Sequence, residues 1–216
     1  MVMKEKEGAL AGATARRKNI LILFAVVLFV LAVLVGTVLL LQDGLDSLAT
    51  DEELIETYYE NNKKFFKTPD FTLSAEDDTA YMQSYDRRIY YIDGSVKTEL
   101  DAENLPLPAV SPLVAMISAI TAGDSEAYNA LFTASYLNEK GAQADFTAQK
   151  PYNIEVSYVG VSDGSHLFKL NYCLKDNDGT LRRDIISDMS RTLNITVTES
   201  GAEYYIASIG YHFVSR

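Results

Sequence analysis

The side chains whose types could do chemistry are few and scattered. Two histidines, His166 and His212, and a single cysteine, Cys173, are the whole supply of soft metal ligands, and no carboxylates stand beside them at zinc spacing. No metal and no cofactor is expected. Asp176-Asn177-Asp178-Gly179 opens like a calcium loop, but glycine already stands at position four, and position twelve is Ser187 where a glutamate is required. The run reads as a hairpin turn, in which Asp178 would be replaceable at little cost. No nucleophile signature or phosphate-binding loop is present, so an enzyme is not expected.

Arg191 is out of place. By strand alternation it shares a register with Met189, Leu193 and Ile195, which sets a cation on a face that ought to be apolar. Three readings stay open: a salt bridge to a carboxylate, the flared end of a strand beyond the core, or an anionic ligand held in a pocket with Met189, Tyr172 and Tyr211. Cys173 lies within Phe168, Leu170, Tyr172 and Leu174, a strand-like stretch, and reads as a small packed residue with no reactive role. His166 follows Gly164-Ser165 and is expected to be solvated at a turn. His212, between Tyr211 and Phe213, points to the opposite face from those two rings.

The elements that must position these residues follow from periodicity. Ser111-Pro112 starts a helix whose stripe is Leu113, Met116, Ile117 and Ile120 and whose end is Gly123; Asp124 caps a second helix, with Ala127, Tyr128, Leu131 and Phe132, predicted to run to about Leu137. The period then becomes two. Ile154, Val156 and Tyr158 share one strand face, Phe168 to Leu174 the next, Leu193, Ile195 and Val197 a third, and Tyr205, Ala207, Ile209, Tyr211 and Phe213 a fourth. Ser162-Asp163-Gly164-Ser165, Asp176 to Gly179 and Glu199-Ser200-Gly201 connect them as hairpins. Upstream, Thr50 and Glu53 form a capping box for a helix through Leu54 and Tyr58, stopped by Pro69, and a short hairpin turns at Asp93-Gly94. Tyr58, Phe65 and Phe66 are expected to pack on the neighbouring domain, the rival being contact with lipid headgroups. The fold class is α+β, helices packed on a curved antiparallel sheet.

Ahead of all this, Ile20 to Leu41 holds neither charge nor proline and follows Arg16, Arg17 and Lys18. As a helix it would be about 33 Å long, enough to cross a hydrocarbon core of about 30 Å. Its length and the absence of a small-residue cleavage site argue for an anchor rather than a cleaved signal. Residues 1–18 carry five basic and two acidic side chains, against 14 basic and 28 acidic beyond them. The basic tail is therefore expected in the cytoplasm and the acidic part outside. The expected organisation is a tail at 1–18, a transmembrane helix at 19–42, a connector and juxtamembrane helix at 43–68, and an exported domain at 69–216. Its negative charge excludes nucleic acid as a partner. A lone cysteine forms no internal disulfide, which favours a bacterial exported protein stabilised by burial alone.

The run Ala119-Ile120-Thr121-Ala122-Gly123-Asp124-Ser125-Glu126-Ala127-Tyr128-Asn129-Ala130-Leu131-Phe132, followed by three long strands, resembles the nuclear-transport-factor-two-like superfamily, whose curved sheet wraps helices into a cone; the likeness is clearest over 111–216. The layout of tail, anchor, connector and exported domain resembles the inner-membrane assembly factor of type IV secretion and conjugation channels. These resemblances imply a membrane-anchored, non-catalytic interaction or scaffold module, with membrane lipid around the anchor and a protein partner at the outer face. The alternative they leave is a cone that binds a small ligand and, behind that, one that houses an isomerase, dehydratase or hydrolase.

Overall fold

The computed structural model describes residues 50–100 and 103–211; the tail, the apolar run from Ile20 to Leu41, and His212 lie outside them. The chain divides into two units, Met1–Ala49 and Thr50–Arg216, and the described residues belong to the second. Among them no helix is long and apolar enough to cross a membrane.

Helix α1 (Asp51–Asn62) starts at the capping box: Glu53 N donates to Thr50 Oγ1 at 3.3 Å and Thr50 N to Glu53 Oε2 at 2.9 Å. It ends at Asn62 and passes into a single 3-10 turn to Phe65. A short α2 (Thr79–Ser84) leads to the hairpin β1 (Ile89–Asp93) and β2 (Val96–Glu99). Helix α3 (Ser111–Ala122) stops at Gly123, whose φ of +69° lets its N–H reach back to Ala119 and Ile120. A Cβ at this position would stand 2.6 Å from Ala148 N, so glycine is required on two counts.

The predicted second helix is broken in two, α4 (Ser125–Ala130) and α5 (Ala134–Lys140). Two tertiary hydrogen bonds cause the break: Ile206 N donates to Leu131 O and Thr133 N to Ile206 O, tying the chain to a strand edge, and Thr133 then caps α5. Strands β3 (Lys150–Ser162), β4 (Ser165–Lys175), β5 (Leu193–Ser200) and β6 (Glu203–Tyr211) form the predicted antiparallel meander. The turn at Asp163-Gly164 has φ of +50° and +78°, the paired positive values a two-residue hairpin needs.

The sheet has six strands in the order β2-β1-β3-β4-β5-β6 and is curved and mixed, which corrects the expected antiparallel sheet. Strand β1 runs parallel to β3, with Ile89 opposite Ile154, because the chain between them crosses over through α3, α4 and α5. A second correction concerns β6. A bulge opposite Thr196–Val197 pairs Ile195 with Ile209 but Val197 with Ile206, so the buried side switches from Tyr211 and Ile209 to Ile206 and Tyr204. Tyr205 and Ala207 do not share the face of Tyr211, since one extra residue reverses the alternation.

The main core lies between α3 and one sheet face, where Leu113, Met116, Ile117 and Ile120 meet Val156, Phe168, Leu170, Tyr172, Leu174 and Ile195. A second, smaller cluster joins Ala75, Tyr81 and Tyr152. Tyr81 donates to Pro151 O at 2.8 Å, and burial pushes its phenol up to about 12. Beside it, Asp78 receives Lys150 Nζ at 2.7 Å and a second, short ion pair from Lys175, with all three side chains largely buried. The hydrogen bonds from Lys150 and then Lys175 hold its carboxyl far below the usual range. The unfolded chain takes up that proton more readily, so this stabilisation is present at neutral pH and fades as pH falls from about 4 through the depressed folded value. Asp78→Asn is expected to lower the melting temperature at pH 7 and to flatten its fall between about pH 5 and 2. Thermal melts across that range check this, and a variant with the wild-type pH slope would refute it.

Candidate functional site

The stretch 176–192 is where sequence and structure differ most. Asp176 to Gly179 is no hairpin turn, because β5 starts only at Leu193 and the interval turns Asn177, Asp178, Arg182, Asp184 and Ile185 inward. Asn177 is fully buried, and its Nδ2 donates to Arg182 O at 2.9 Å and Ile185 O at 2.8 Å, clamping the loop shut. Asp178 is also buried. It accepts from Thr147 Oγ1 in a short bond, from Gln149 Nε2 at 3.1 Å and from Thr180 N at 2.9 Å. The expectation that Asp178 is cheap to replace is therefore corrected.

The clamp presents Arg182 to the interior. Its Nε and Nη2 meet the two Asp184 oxygens at 2.8 and 2.6 Å, with the side chains 3% and 1% exposed. Its guanidinium carbon faces the rings of Tyr172 at 5.1 Å and Tyr211 at 5.9 Å. Burial opposes the charge on Arg182, but Tyr172 and Asp184 outweigh it and hold its pKa above the ordinary value. Burial also raises the phenols of Tyr128, Tyr172 and Tyr211. Arg182 Nη1 is buried and has no hydrogen-bond partner among the described residues.

Of the residues singled out from sequence, Tyr172 and Tyr211 come together on Arg182, and Arg191 and Met189 lie to one side. Arg191 precedes β5, so the alternation used to place it does not apply. Its Nε stands 3.6 Å from Asp184 and its guanidinium lies over Tyr58 of α1 at 5.4 Å, the salt-bridge reading of the three. Met189 is exposed, its sulfur 4.0 Å from the Tyr58 hydroxyl. The interior cation is Arg182, which sequence reasoning missed; the signal available was the interval between β4 and β5, too long for a hairpin. His166 lies within β4 and is only partly solvated. It is half buried among Tyr158, Phe168 and Tyr204, with ring centres 6.0 to 6.3 Å away.

A cavity of about 260 Å³ lies in front of this cluster, lined by Tyr128, Phe132, Tyr136 and Tyr211 and walled by Asp51 and Ile55 of α1. Phe132 and Tyr136 stack with centres 4.9 Å apart, narrowing it. Helix α1 lies across its mouth through contacts at the helix surface: Lys140 to Glu52 at 3.0 Å, Arg183 to Glu56 at 3.1 Å, and Arg183 over Tyr59 at 4.8 Å. Tyr59 and Phe66 pack on Gly179, where a Cβ would come within 2.8 Å of the Tyr59 ring. Phe65 turns outward, 50% exposed, so the predicted aromatic face is divided between packing and solvent. No family model, curated protein or solved structure matches the chain.

Proposed function

We propose that this chain is a membrane-anchored, extracytoplasmic protein-interaction module without catalytic activity of its own, its acidic domain outside and its basic tail in the cytoplasm. One observation carries the reading: the interior pocket is narrowed by its own tyrosines and Phe132 and covered by α1. Arg191, the cation that a ligand-binding cone would turn inward, is engaged instead with Asp184 and Tyr58. The helices followed by a meander, on which the resemblance to nuclear-transport-factor-two-like domains rests, accord with a scaffold that works through its outer surface.

A small-ligand cone is the second reading, favoured by the unpartnered Arg182 Nη1 and by two arginines sharing one carboxylate. Acetate, phosphate and benzoate are expected to produce no saturable rise in the melting temperature of the detergent-solubilised chain, while crosslinking in native membranes gives discrete protein adducts. A rise that saturates and is lost in Arg191→Ala would favour the ligand reading, because a molecule bound only to the native state stabilises it by mass action.

A further inference from the structure

Helix α3 contains no charged residue, although only its inner face is covered by the sheet. A helix hydrophobic all round is normally buried all round, and the outer face of α3 carries small uncharged side chains, Ser111, Val114, Ala115 and Ser118, where a solvated helix face is normally charged or polar. Its outer face instead borders two cavities of about 700 and 520 Å³ that share Leu105, Ser111, Ala115 and Leu131, so they form one groove along the helix. Twelve residues of helix are about 18 Å long, room for about three turns of a second helix. The charged residues lining the groove are Glu103, Glu203 and Asp124, with no lysine or arginine among the described lining residues.

We propose that this groove docks a basic, amphipathic helix of a partner protein; the inference rests on the interaction-module reading and names its surface and partner chemistry. The apolar floor receives the partner's apolar stripe, and the acidic rim pairs with lysine or arginine on its flanks. Charge selects this occupant over two others. A second copy of this chain would bring another strongly acidic domain, and a bilayer surface would bring anionic headgroups, so both are repelled by the rim.

The test uses the full chain in detergent and two synthetic helical peptides with the same leucine and alanine face, one carrying lysines on the opposite face and one carrying glutamates. The lysine peptide is expected to bind saturably in fluorescence anisotropy, at least tenfold tighter than the glutamate peptide, and to weaken as salt is added. Ser118→Arg places bulk and positive charge on the outer face at an exposed position whose hydroxyl bonds only to its own helix, at Val114 O. It should weaken the lysine peptide at least tenfold with the melting temperature unchanged. Equal binding of both peptides, or no effect of Ser118→Arg, would overturn the proposal. In native membranes, a photocrosslinker at Ala115 should capture a basic helical segment of another protein; adducts to lipid or to a second copy would overturn the assignment. Adducts from a crosslinker at Val161, exposed at the far end of β3, with none from Ala115 would sink the groove but leave the interaction reading standing. No protein adduct from either site would sink both.

Discussion

Asp184→Ala is expected to destabilise the domain by about 3–5 kcal/mol, because it leaves the Arg182 guanidinium buried without its bidentate partner. Desolvating a charge costs several kcal/mol, and within the protein that cost is offset only by close, well-aligned opposite charge and hydrogen bonds. Here Asp184 accepts two hydrogen bonds from Arg182 and also stands 3.6 Å from Arg191, so its removal strands the buried cation and loosens the second. For a unit of this size the loss corresponds to a fall in melting temperature of roughly 6–20 °C. The double variant Arg182→Met with Asp184→Leu is expected to recover most of it, since a buried pair can be exchanged for apolar side chains at little net cost. Thermal unfolding by circular dichroism checks both. An Asp184→Ala variant that melted with the wild type would mean the pair does not hold the loop.

Leu170→Ala is expected to lose about 2–5 kcal/mol. The side chain is fully buried at the centre of the sheet, between β3 and β5 and facing α3, where the surroundings have little freedom to close over the cavity. Asp178→Ala, at the supposed turn, is expected to cost about 1–3 kcal/mol, because it removes the carboxylate that accepts from buried Thr147 and Gln149 and from the part-buried N–H of Thr180. Chemical denaturation of the three proteins side by side measures the order. An Asp178→Ala protein as stable as wild type would restore the hairpin-turn picture and remove the loop as the element that positions Arg182.

Much of the architecture was readable from short-range pattern. The Thr50 and Glu53 cap, the stop at Gly123, the Asp124 cap, and the turns at Gly94, Gly164 and Gly201 all stand where the residue types require, because each depends on neighbours within four positions. The alternation in β3, β4 and β5 likewise identified the buried face. Tertiary structure decided the rest. The parallel pairing of β1 with β3 and the break between α4 and α5 arise from hydrogen bonds between residues far apart in sequence, and the bulge that reverses β6 arises from its pairing with β5 rather than from its own alternation. Arg191 and Arg182 look alike in the chain, and both reach Asp184. What separates them is burial, 21% against 3% exposure, and the rings of Tyr172 and Tyr211 that two distant strands bring to Arg182 alone. Whether a charge can be buried depends on the partners that folding assembles around it, and that information is absent from local spacing.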